Sequence, residues 1–140
     1  MKEATEMANI KLTDEEQRLI DEAKRVRFFS YSPYSNFAVG AAVLCDDGAI
    51  FGGCNIENKA QSVANCAERT AIFRAVSGGK KDIRMIAVAA DTPAPVSPCG
   101  ACRQVIAEFK IPRIIMANMN DEVKIVTLDE LLPFAFSLDE

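Results

Sequence analysis

The chain has 140 residues, 49% of them apolar, with 16 basic and 20 acidic side chains, five cysteines and no histidine. That length fits one domain, residues 1–140, burying ~70% of the surface its unfolded chain exposes; a net charge of −4 with both signs interspersed offers no basic footprint, so long nucleic acid is not an expected partner. No apolar run reaches membrane-spanning length, the opening MKEATEMANIKLTDEEQ lacks the basic and then apolar pattern of a secretory signal, and an odd cysteine count with one CxxC pair points to a reduced, cytoplasmic chain without a membrane partner.

Residues 1–11 read as a flexible lead-in. Thr13 and Glu16 then form a capping-box pattern, and Leu19, Ile20, Ala23 and Val26 recur on one helical face, which predicts a helix over about 13–29. YSPYSNF (31–37) is turn chemistry. From Phe37 the apolar positions alternate through Cys45, Asp46-Asp47-Gly48 supplies a turn, and AIFGGCNI runs back, so 37–56 is expected to be a β-hairpin. A second helix, largely buried and with Phe73 and Val76 in the core, is expected from Cys66 to about Ser77, stopped by Gly78-Gly79. IRMIAVAA (83–90) reads as a central strand covered on both faces. A loop with three prolines follows, then a third helix from CGACRQVIAEF, a strand RIIMAN, an antiparallel edge VKIV, and a short last helix capped by Thr127 and Glu130. The order αββαβαββα implies an α/β fold, one mixed sheet sandwiched by helices.

The chemistry concentrates at two helix starts. Cys99 and Cys102 share one face of a first turn by their i, i+3 spacing, and Cys66 begins another helix. All three thiols lie where unsatisfied backbone N–H groups favour thiolate. If the two helix starts meet above the sheet, three sulfur ligands suit a tetrahedral zinc ion with one position left open, as in catalytic sites. Glu68 is then placed to move protons, work that histidine often performs and that this chain must assign elsewhere. Arg69 and Arg103, each adjacent to a key residue, are expected to donate to the sulfurs and withdraw charge. Two alternatives stay open at this level. CGAC also resembles a thiol-disulfide site with Cys99 as nucleophile, and a structural zinc site would draw a fourth ligand from Cys45 or Cys54, otherwise small buried hydrophobes.

Cys66-Ala67-Glu68 followed by Pro98-Cys99-Gly100-Ala101-Cys102 resembles the zinc-deaminase signature in its all-cysteine form. YSPYSNFAVGAA, GCNIEN, CAERTAIF, SPCGACRQVI and LLPFAF are similar, block by block, to the small homotetrameric cytidine deaminases over about residues 15–137. The resemblance implies a three-layer α/β/α fold with a mixed five-stranded sheet and hydrolytic deamination of cytidine and deoxycytidine to uridine and deoxyuridine in pyrimidine salvage. It further implies one zinc ion per chain on Cys66, Cys99 and Cys102, and proton transfer by Glu68. Asn55 and Glu57 would hold the ribose 3′-hydroxyl, the Ala67 amide would meet the base and Phe37 would pack on it. Phe136 would reach the base in a neighbouring subunit, giving a homotetramer with shared sites. The chain departs from the family pattern at Lys59-Ala60-Gln61, where small residues and an aromatic are usual, and at Phe134, where glycine is common. These departures keep a second substrate class in play, another aminopyrimidine nucleoside, blasticidin-like or modified.

Overall fold

The computed structural model describes residues 10–138, so the expected lead-in lies mostly outside the described residues; Ile10 and Lys11 are within them and belong to no helix or strand. Helix α1 (Asp14–Val26) begins as its sequence dictates. Thr13 Oγ1 accepts the Glu16 N–H at 3.1 Å and Glu16 Oε1 accepts the Thr13 N–H at 2.9 Å, closing the capping box. Arg113 Nε adds a 2.6 Å bond to the other oxygen of the buried Glu16 carboxylate. The α-helix stops at Val26, short of expectation, because buried positions run out there; Arg27–Phe29 tighten into a 3-10 turn with Phe28 and Phe29 exposed.

Five strands follow: β1 (Val39–Cys45), β2 (Ile50–Cys54), β3 (Ile83–Ala90), β4 (Arg113–Asn118) and β5 (Val123–Thr127), in the spatial order β2-β1-β3-β4-β5. β3 and β4 run parallel and the other neighbours antiparallel, the mixed sheet that was expected. The β1–β2 ladder is shorter than 37–56 at both ends. Phe37 is held off it because Ser35 Oγ accepts its N–H at 3.0 Å and its carbonyl takes the Asn55 amide at 2.8 Å.

Helix α1 covers one face of the sheet. Leu19, Ile20 and Ala23 pack on Ala42, Leu44, Ala87, Ala89, Ile115 and Ala117. Helices α2 (Ala67–Ser77), α3 (Gly100–Glu108) and the short α4 (Leu128–Leu131) cover the other, where Ala71, Ile72, Ala75, Ile106 and Leu131 meet Ala41, Val43, Ile86, Val88, Ile114 and Met116. The strand residues divide between the two cores with period two, and this explains why β3 is apolar along its length. The small residues at the sheet centre let helices sit close: a Cβ on Gly40 would lie 1.9 Å from the Ala23 carbonyl oxygen of α1. One expectation fails here. Phe73 lies on the outer side of α2 at 46% exposure, and the alanines fill the core instead.

Candidate active site

Both α2 and α3 open on a cysteine. Cys66 and Cys99 are the N-cap residues, with extended backbone and no side-chain bond to a backbone N–H of their own helix, so each sulfur projects beyond a helix N-terminus; Cys102 follows in the first turn of α3. The Cys66 and Cys99 sulfurs are 3.8 Å apart, and all three Sγ atoms lie within 4.8 Å of one another. A tetrahedral zinc ion with Zn–S bonds of ~2.3 Å requires a sulfur-to-sulfur edge of ~3.8 Å, so the donor set fits in type, number and spacing. Cys45 and Cys54 are buried in strands with their thiol pKa values pushed up by burial, and neither joins the cluster. A four-cysteine site therefore has no support among the described residues.

The electrostatics prepare the sulfurs for a cation. The Cys66 thiol is drawn down to about 5, first by a hydrogen bond from the Cys102 thiol and then, against burial, by Arg69 and Cys99. The same hydrogen bond and burial push the Cys102 thiol well above its ordinary value, with the Glu68 charge adding to them. Arg69 Nη2 donates to Cys66 Sγ at 3.3 Å, while its Nε is buried without a partner among the described residues. Thr70 Oγ1 donates to the Cys66 carbonyl at 3.2 Å and accepts the Asn65 amide at 3.1 Å, which ties the N-cap to the residue before it.

Glu68, in the first turn of α2, is 5% exposed, and burial raises its pKa to about 7, with the nearby Cys66 charge contributing. A carboxyl group poised at neutral pH can both take and release a proton. Arg103 requires a correction. Its Nε, Nη1 and Nη2 donate to the Pro98 carbonyl (2.9 Å), the Leu131 carbonyl (2.7 Å) and Ser97 Oγ (2.6 Å), so it braces the loop ahead of Cys99 and has no bond to sulfur. A planar five-donor group beside three neutral oxygen acceptors is satisfied without reaching the thiols.

Beyond Cys54 the chain stays extended. Ile56 bridges Tyr31 on one side and Asn65 on the other, which joins β2 to the segment entering α2. Asn55 and Glu57 consequently turn to the same side, toward residues 30–39. The Asn55 amide accepts from Ser30 Oγ and from the Val39 N–H at 2.9 Å while donating to Phe37. Glu57 Oε1 accepts the Tyr34 and Ser35 N–H groups at 3.0 and 3.1 Å, Oε2 accepts Ser35 Oγ, and these bonds, the Ser35 hydroxyl first, hold its carboxyl below the ordinary range. Ser30, Ser35, Asn65 and Thr70 were not singled out by sequence; the Ser and Asn turn chemistry of 31–37 was the available signal for Ser35. Beside Glu57 lies a cavity of about 500 Å³ that Lys59 and Gln61 also line. Ala67 is buried, Phe37 is 40% exposed and Phe136 is 72% exposed. Phe136 lines a different cavity, of about 550 Å³, with Phe134 and Gln104, so the chain does not bring it to Glu57.

Residues 13–118 match the family model described as cytidine and deoxycytidylate deaminase zinc-binding region. The chain belongs to this deaminase family. The cytidine deaminase of Sporosarcina psychrophila is 53% identical over 127 residues, covering 89% of this chain and 93% of the relative; that of Halalkalibacterium halodurans is 48% identical over 126 residues, covering 89% and 96%. The crystal structure of cytidine deaminase from Burkholderia pseudomallei superposes with a TM-score of 0.84 at 44% identity, covering 89% of this chain and 100% of that one. Zinc is the family's metal, and the sulfur triangle is the group of this chain that suits it.

Proposed function

We propose that the chain is a zinc-dependent cytidine deaminase that hydrolyses cytidine and deoxycytidine to uridine and deoxyuridine with release of ammonia. The observation that carries this reading is the convergence of three sulfurs from two helix N-termini, with a buried carboxyl group one residue into α2. Cys66, Cys99 and Cys102 would hold the ion. Zinc bound by three thiolates supplies a Lewis acid that brings the pKa of water from ~15.7 toward ~7.

Glu68 carries the protons. Its buried carboxylate takes one from the attacking water as the C4–O bond forms and delivers it to N3 of the pyrimidine, then takes a second from the new C4 hydroxyl and gives it to the amine as the C4–N bond breaks and the C4 carbonyl forms. Balance is kept: water enters, ammonia leaves, and the carboxylate is regenerated. Arg69 draws charge from Cys66, which offsets the excess negative charge of three thiolates on one divalent ion. Asn55 and Glu57, on one side of the extended segment that follows β2, hold the ribose 3′-hydroxyl, with Phe37 beside them packing on the base and the Ala67 amide meeting it. In this reading the 72% exposure of Phe136 in the isolated chain is relieved by a neighbouring subunit, whose base pocket it completes within a homotetramer. A cytoplasmic place in pyrimidine salvage and a single domain over residues 1–140 complete the proposal.

Lys59 and Gln61 in the cavity beside Glu57 favour a second reading of the sugar end, in which a modified aminopyrimidine nucleoside is the preferred substrate. A panel of cytidine, deoxycytidine and sugar- or base-modified aminopyrimidine nucleosides, followed by loss of the cytidine-type ultraviolet band with the zinc-loaded protein, decides between them. Turnover of cytidine at the highest kcat/KM is the expected result. Zinc binding without turnover of any member would end the deaminase proposal.

A further inference from the structure

The three sulfurs come from two helices packed on the same face of the sheet, so their separation depends on how deeply each helix lies. For α2 that depth is limited by β2. Gly53 faces α2, and a Cβ built on it would lie 2.5 Å from the Ala71 backbone nitrogen, 2.8 Å from the Thr70 carbonyl carbon and 2.8 Å from Thr70 Cβ. Two of these three atoms are backbone and the third is directly attached to it, so no flexible side chain can yield. Ordinary contact begins near 3.4 Å; restoring it would require α2 to retreat by roughly 1 Å. Gly52, one residue earlier, faces the opposite helix layer, where a Cβ would meet Val26 Cγ1 at 2.7 Å and Glu22 Oε2 at 2.9 Å, both of them side-chain atoms.

We propose that Gly53 is a positioning residue of the metal centre: its missing side chain lets α2 lie against β2 at the depth that brings Cys66 Sγ to 3.8 Å from Cys99 Sγ. The contact falls in the second turn of α2, just after Cys66 and Glu68, and Thr70, the residue against which Gly53 packs, is bonded to the Cys66 carbonyl. Cys99 and Cys102 ride on α3 and the loop braced by Arg103, whereas the atoms nearest a Gly53 Cβ all belong to α2. A retreat of α2 therefore opens the triangle on one side. The same strand continues into Asn55 and Glu57, so Gly53 also fixes the spacing between the sulfur cluster and the sugar-side pair.

This inference rests on the zinc reading of the site and is tested apart from activity. Zinc affinity by competition with a chromogenic chelator, and the thiolate and d–d absorption bands of the cobalt-substituted protein, are measured for the parent, Gly53→Ala and Gly52→Ala. Gly53→Ala is expected to bind zinc about tenfold or more weakly, with shifted cobalt bands. Gly52→Ala, though less stable, keeps the parent's affinity and spectrum. Parental affinity and spectrum in Gly53→Ala overturn the proposal, whereas a parent that binds neither metal overturns the zinc reading itself. Should Gly53→Ala not fold, Thr70→Val decides the matter, because it keeps the Cβ facing Gly53 and removes the hydroxyl bonded to Cys66 and Asn65. Affinity close to the parent's supports steric seating, and about a tenfold loss assigns the positioning to the hydroxyl chain and overturns the role of Gly53.

Discussion

Arg69 donates one guanidinium nitrogen to Cys66 Sγ at 3.3 Å while burying another, Nε, without an acceptor. A cation is therefore spent on a sulfur at the expense of one unsatisfied donor, a trade that favours a charged thiolate over an optimally bonded arginine. Arg69→Gln should keep zinc and move the acid limb of the kcat/KM profile upward by about half to one pH unit, because the thiolates then neutralise the ion more completely. A profile that superposes on the parent's would remove Arg69 from the chemistry.

Glu68→Gln preserves the shape of the buried side chain but cannot ferry protons. The expected outcome is a fall in kcat of about 10²–10⁴-fold with metal content by atomic absorption unchanged. Retention of full activity would mean that another group carries the proton.

Asn55 and Glu57 separate structure from recognition. Asn55 satisfies Val39 N–H and the Phe37 carbonyl, so Asn55→Ala should cost about 1–3 kcal/mol and also raise KM for cytidine. Glu57→Gln retains an oxygen for the Tyr34 and Ser35 amides and should leave the thermal midpoint nearly unchanged while raising KM about tenfold or more. If both variants bind cytidine as the parent does and treat a 3′-deoxy analogue alike, the sugar assignment fails.

Glu16 supplies a pH dependence remote from the metal. Burial acts to raise its pKa, but the Thr13 amide and Arg113 outweigh it, and the folded value lies below the ordinary 4.5. A depressed carboxylate contributes stability that is fully present above about 4.5 and is lost as pH falls through the folded value. Glu16→Gln should therefore lower stability at neutral pH by about 1–3 kcal/mol, and the difference from the parent should shrink on acidification below 4.5. Thermal unfolding of both proteins in chelator, across pH 3 to 7, checks this without interference from zinc release. A gap that stays constant over that range would contradict it.

Much of this architecture was legible from local chemistry. Thr13 with Glu16, Thr127 with Glu130, and the Asp46-Asp47-Gly48 turn announce themselves because each is decided by neighbours within a few residues. The spacing of Cys99 and Cys102 belongs to the same class. What escaped depends on distant partners. Phe73 has the composition of a core residue, but the close seating of α2 leaves room at the sheet for alanine and turns the phenyl ring outward. Arg103 stands next to a metal-binding cysteine in sequence, yet Leu131, 28 residues later, supplies one of its acceptors. The end of β1 at Val39 likewise follows from the Asn55 side chain, 18 residues beyond Phe37, which no periodicity records.

The sulfur triangle joins α2 to α3, and the parallel strand β3 lies in the chain between them. An ion held there acts as a clasp on the loop from Cys66 to Cys102, removing from the disordered chain freedom that grows with the length of the closed loop. Chelation would thus cost the protein more than its Lewis acid: the helix starts that shape the pocket would lose the fastening that keeps them from parting.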